Sequence, residues 1–104
     1  MNQDYPELQQ FLAGYFNQDW MDDYDSANDV IDFFISDVSA DTLFKVQLEL
    51  DRLIATRKTE QELQDYLFTN IGCYYYYLSE WENSRTWLKH VALTLKNSKT
   101  QNKK

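Results

Sequence analysis

Between Phe16 and Asp29 the chain reads FNQDWMDDYDSAND, with five aspartates and no lysine or arginine. Carboxylates at this density could hold a metal, move protons, or meet a basic partner. Each use has its own spacing. A calcium loop needs oxygen ligands at fixed offsets, with glycine at position 6 and a bidentate glutamate at 12. Counted from Asp23, positions 5, 6 and 12 are Ala27, Asn28 and Phe34. Counted from Asp19, positions 3 and 12 are Met21 and Val30. Neither register works. Zinc fares worse, because Cys73 and His90 are the sole residues of their types and no paired spacing exists. No metal and no cofactor is expected.

Catalytic arrangements are equally absent from the pattern. His90 falls on the outer face of the last predicted helix and reads as a solvated residue rather than a general base. Cys73 reads as a small buried structural cysteine. No carboxylate pair is marked by an apolar setting that would raise its pKa. Glycine occurs only at Gly14 and Gly72, so no phosphate-binding loop is present. The chain is not expected to be an enzyme.

Partner binding suits the residues better. Tyr74, Tyr75, Tyr76 and Tyr77 are consecutive, and on a loop they cannot all point into a core. Tyrosine anchors interfaces because it brings large contact area and a polar tip at low entropic cost. The blander alternative is that alternate tyrosines cover the core and the others are merely exposed. The charge is also segregated. Residues 1–44 hold ten acidic and no basic side chains, and the net charge of the chain is −7. Such a field repels nucleic acid and anionic membrane and attracts basic surfaces. The candidate interface is therefore Asp22, Asp23, Tyr24 and Asp25, continued by Asp29 and Asp32, together with Tyr75, Tyr76, Tyr77 and Glu80. Whether the two segments share one surface is not legible in the pattern.

The elements that must position these residues are helical. A length of 104 residues suits one domain with a modest core. Leu8, Phe11, Leu12, Tyr15 and Phe16 make one stripe of a helix over Pro6–Phe16, with proline in the first turn. Ser26 caps a second helix reaching Val38, with Ala27, Val30, Ile31, Phe34, Ile35 and Val38 inward and Asp29, Asp32 and Ser36 on the opposite face. A third helix, capped by Ser39, runs to about Arg57. Leu43, Val46, Leu50, Leu53 and Ile54 form its stripe, which Phe44 and Leu48 widen, so contact from two sides is expected. TEQE at Thr59–Glu62 is a capping box that opens a fourth helix, and Gly72 ends it. Residues 73–82 read as a loop, with a strand at Cys73–Leu78 as the competing assignment. The last helix runs from Asn83 or Ser84 to about Asn97. The expectation is an all-α bundle of about five helices over residues 1–97. A basic, disordered polar tail over 98–104 follows.

No run approaches the roughly 18–20 apolar residues that cross a bilayer. MNQDYPELQQ lacks the basic and apolar regions of a secretory signal. A single cysteine fits a reducing compartment.

YPELQQFLAGYFNQDW, Tyr5 to Trp20, resembles the N-terminal signature of a family of bacterial immunity proteins of contact-dependent growth inhibition. The matching residues are Leu8, Phe11, Leu12, Gly14, Tyr15, Phe16, Gln18, Asp19 and Trp20. The acidic stretch that follows, IGCYYYY at Ile71–Tyr77 and the SRTWL helix are similar to the family as well. Asn17 stands where histidine is common in it, and the loop after Tyr75 lacks the family's frequent proline and glycine. The resemblance implies a small helical protein of the bacterial cytoplasm that neutralises one cognate toxin domain, commonly a ribonuclease. A monomer forming a 1:1 heterodimer is expected. Gln18, Asp19 and Trp20 are expected to act as a structural hinge, with Trp20 partly buried and Asp19 capping or hydrogen-bonding locally. A basic ribonuclease cleft suits the acidic surface. Two other classes fit the residues less well: an acidic adaptor or nucleic-acid mimic acting on another basic protein, and a small hydrolase.

Overall fold

The computed structural model describes residues 4–101, with side chains described through Asn97. Among the described residues six α-helices follow in order: α1 Pro6–Tyr15, α2 Trp20–Asp23, α3 Ala27–Asp37, α4 Ala40–Ile54, α5 Glu60–Asp65 and α6 Ser84–Gln101. Two irregular pieces complete the path. The α5 segment continues as a π-helix over Tyr66–Ile71, and Tyr77–Ser79 make a 3-10 turn. No strand occurs among the described residues. The alternative strand at Cys73–Leu78 is not realised; residues 72–76 have no regular secondary structure. Residues 98–104, expected as a polar tail, lie partly beyond the described residues, while the α6 backbone continues to Gln101.

The caps follow from the residue types. The side chains of Ser26, Ser39 and Thr59 accept the backbone N–H of Asp29, Thr42 and Glu62. Glu62 returns the bond to the Thr59 N–H at 2.8 Å, completing the capping box. Asn83 Oδ1 accepts from the Thr86 N–H at 2.8 Å and opens α6. Helix α1 has no such local cap. Its first free N–H groups, at Glu7 and Leu8, donate instead to the buried Glu49 carboxylate of α4, at 3.3 and 2.8 Å. A carboxylate there satisfies orphan donors and meets the positive end of the helix dipole.

The core is one cluster. Leu8, Phe11, Leu12 and Phe16 of the first helix meet Val30, Ile31 and Phe34 of α3, Val46, Leu50 and Leu53 of α4, and Trp87, Leu88, Val91 and Leu95 of α6. Helix α4 lies against both α1 and α6, and α3 and α5 flank α6. Phe44 and Leu48 do not widen the buried stripe as expected. Both are 47% exposed. They lie past the edge of the face that α1 and α6 cover.

Gly72 closes the π-helix with φ +88°. Its N–H and that of Cys73 both donate to Leu67 O, at 3.1 and 3.0 Å. A Cβ added here would meet only Ala13 Cβ at an ordinary 3.8 Å. The cost of Gly72→Ala is thus the left-handed backbone alone. A loss of about 1–2 kcal/mol is expected, read as a lower urea midpoint with an unchanged m-value.

Candidate functional site

After Gly72 the chain leaves helical structure, and side chains alternate in and out. Cys73, Tyr75 and Tyr77 point inward; Tyr74 and Tyr76 point outward, 61% and 60% exposed. The Tyr74 N–H donates to Phe16 O at 3.0 Å, which ties this segment to the end of α1. Burial pushes the Cys73 thiol up to about 12, so it is protonated and inert as a nucleophile at neutral pH.

Tyr77 corrects an expectation. It is 0% exposed and cannot touch a partner. Its ring stacks on Trp87 at 4.8 Å and on Phe68 at 5.1 Å, and its hydroxyl pairs with Ser84 Oγ at 2.6 Å. Burial pushes its phenol up to about 12. Tyr75 is also buried, against Phe16, Trp20 and Trp87. Its hydroxyl emerges to donate to Glu80 Oε1. Burial first, and Glu80 second, raise its pKa. Tyr75 is a floor with one polar tip rather than an exposed anchor. The reason is that this non-helical segment lies on the core and buries alternate side chains, a period that a helix would not produce.

The acidic segment is not a simple loop. Asp22 and Asp23 sit in α2, a single turn. Trp20 starts that turn, is buried, and packs edge-on against Phe16 at 5.5 Å and Tyr75 at 5.4 Å. Asp19 precedes the turn, but its side chain makes no capping bond. Asn17 braces the bend instead: its Nδ2 donates to Gly14 O at 2.9 Å, and its Oδ1 accepts the Asp19 N–H at 3.0 Å. Gln18 and Asp19 are exposed. Asp22, Asp23 and Asp25 are exposed, and Tyr24 is half-buried against Phe33. Asp29 and Asp32 are exposed on α3.

Trp20 and Tyr75 thus join two segments that are distant in sequence. Between them lies an open groove of about 530 Å³. Met21, Tyr24 and Asp25 line one side, and Tyr74, Tyr76 and Glu80 line the other. Asp22, Asp23, Asp29, Asp32 and Tyr77 do not line it. No lysine or arginine does. Among the described residues no cluster of histidine, cysteine and carboxylates is arranged to hold a metal ion. No helix among them is long and apolar enough to cross a membrane.

His90 is not merely solvated, as the helical wheel implied. Its ring lies 4.6 Å from that of Trp81, and its Nε2 is 3.0 Å from Asn28 Oδ1. This contact ties α6 to the start of α3 and to the end of the tyrosine segment. A tryptophan held on a short turn beside the helix was the one signal that could have pointed to it.

The sequence profile of the CdiI immunity proteins matches residues 4–95. The chain belongs to the CdiI immunity protein family. The resemblance read from Tyr5–Trp20 therefore extends over nearly the whole length. The backbone agrees. A solved structure of a CdiA-CT/CdiI complex from Y. kristensenii 33638 contains a similar chain, 33% identical, with a TM-score of 0.88. The similarity covers 92% of this chain and 97% of that one. A search of curated protein sequences gave no match. Proteins of the CdiI family are inhibitors rather than enzymes. The groove in this CdiI-family chain presents carboxylates and aromatic faces.

Proposed function

We propose that this chain is an immunity protein of the bacterial cytoplasm that binds one cognate toxin domain, a basic ribonuclease, in a 1:1 complex. The contact surface is the Tyr24–Asp25 and Tyr74–Glu80 groove, flanked by Asp22 and Asp23 and extended along α3 by Asp29 and Asp32. The observation that carries this reading is the meeting of the two segments. Acidic residues and outward tyrosines enclose one groove that no cationic side chain lines. The similar chain in the Y. kristensenii structure is part of a CdiA-CT/CdiI complex, which supports a protein partner. A ribonuclease must attract phosphates, so its cleft is basic, and this field is its complement.

The test is association kinetics with the cognate toxin domain. Asp22→Asn, Asp23→Asn and Asp25→Asn combined should slow association at low salt by about tenfold or more, with little change in dissociation. Added salt should erase the difference between variant and wild type. Equal association rates at low salt would end the acidic-surface reading. Equimolar chain should abolish RNA cleavage by the toxin domain; absence of any cleavage to inhibit would end the ribonuclease assignment.

A further inference from the structure

The groove has a more specific chemistry than acidity. Tyr76 is 60% exposed, yet its ring is backed by Phe68 at 5.9 Å and an interplanar angle of 20°. Phe68 stacks in turn on Tyr77, and Tyr77 on Trp87. The Tyr76 face is therefore a fixed platform standing on the core. Glu80 is fixed as well, because Tyr75 holds one of its oxygens from below. Each carboxylate oxygen has two acceptor sites, so Glu80 keeps room for further donors. Asp25 faces the same space.

The N-terminus of α3 also opens here, through Ser26 and Ala27. Its positive end is already answered by the Ser26 Oγ cap and by Asp29 in the first turn. The remaining field is that of the carboxylates.

We infer that this groove is an arginine receptor: it takes an arginine side chain from an extended segment of the toxin, with the guanidinium laid on Tyr76 and forked onto Glu80. This deepens the function proposed above and rests on it for the source of the arginine. Arginine suits the site better than lysine for two reasons. Its planar, weakly hydrated cation stacks on an aromatic face, and its fixed fork matches a carboxylate. A lysine ammonium would need full hydration or a tighter cage. The size agrees, since about 530 Å³ falls within the range of ordinary ligand clefts and leaves space for residues beside the arginine.

Two arms test the inference. In the first, acetyl-Gly-Arg-Gly-amide is titrated against the labelled chain and followed by amide chemical shifts. Shifts at Tyr74, Tyr76 and Glu80 are expected with arginine, several-fold smaller ones with lysine, and none with citrulline in its place. Equal shifts from citrulline would overturn the inference, and so would equal saturation by lysine. In the second arm, affinity for the toxin domain is measured for Tyr76→Phe, Tyr76→Leu and Glu80→Gln. Tyr76→Phe keeps the ring and should bind within about twofold of wild type. Tyr76→Leu and Glu80→Gln should each weaken binding about tenfold or more. Glu80→Gln retains an acceptor for Tyr75, so the floor stays in place. Wild-type affinity in both weakened variants would overturn the arginine receptor while leaving toxin binding intact. Failure of the wild-type chain to bind the toxin domain would overturn the proposed function instead, and the peptide arm would still decide the chemistry of the groove.

Discussion

Replacing Trp87 with alanine should remove about 3–5 kcal/mol of stability. That is a large part of the 5–15 kcal/mol available to an ordinary domain. Trp87 is almost completely buried. Its ring stacks on Tyr77 at 4.8 Å with planes 7° apart, and meets Tyr75 at 5.3 Å and Phe16 at 5.8 Å edge-on. Alanine would leave a cavity bordered by three rings that cannot all collapse into it. Urea unfolding followed by far-ultraviolet dichroism measures the loss. Trp87→Phe keeps a ring against Tyr77 and should recover more than half of it. A Trp87→Ala midpoint within experimental error of wild type would mean that the aromatic cluster is not a structural centre. The effect also reaches the site, because Tyr75 is the floor of the groove and Tyr77 stands under the Phe68–Tyr76 platform.

The longer helices were legible because local rules announce them; the single turn of α2 was not. Ser26, Ser39 and the Thr59–Glu62 box sit at helix starts and cap them. Of the stripe Leu8, Phe11, Leu12, Tyr15 and Phe16, all are buried as the spacing predicts except Tyr15, which is half-buried. What local rules could not carry is the pairing of distant segments. Trp20 and Tyr75 both line the groove and touch each other, and no periodicity contains that contact. The tyrosine run was ambiguous for a related reason. Four like residues carry no hydrophobic alternation, so only the core beneath can select Tyr75 and Tyr77 as the inward pair. Glu49 is different, since its signal was present. It shares a helix face with Val46, Leu50 and Leu53, all buried, and a carboxylate in such a stripe demands a partner. The partner, the uncapped start of α1, has Tyr5 and proline where a capping side chain would stand. Asn17 likewise takes the local role expected of Asp19, because its amide can donate and accept at once.

The second large effect belongs to the α4–α5 connection, where two reciprocal sets of hydrogen bonds lock the chain. The Arg85 guanidinium of α6 donates from Nε to Ile54 O at 2.9 Å, from Nη2 to Thr56 O at 2.6 Å and from Nη1 to Lys58 O at 3.4 Å. Ile54 is the last residue of α4. Carbonyls there have no helical donor, and a cation is favoured at that end. In return, Glu60 at the start of α5 accepts from the Ser84 N–H and Oγ, at 2.8 and 2.7 Å, and from Gln64 Nε2 at 3.0 Å. Arg85→Ala should cost about 2–3 kcal/mol, since three half-buried carbonyls lose a charged donor. Arg85→Lys should recover less than half, because a single ammonium cannot span the three. Glu60 adds a pH signature. Burial alone would raise its pKa, but the bonds from Ser84 and Gln64 and the charge of Arg85 outweigh burial and hold it below the ordinary 4.5. The unfolded chain therefore takes up this proton first, and stability rises with pH across that interval. The contribution is complete above 4.5 and disappears as pH falls through the lower folded value. Glu60→Gln should be less stable than wild type at neutral pH, and the gap should close on acidification below 4.5. Denaturant midpoints of the two proteins along that pH series measure it. A gap of constant size would mean that shape, and not charge, is what Glu60 supplies to Ser84.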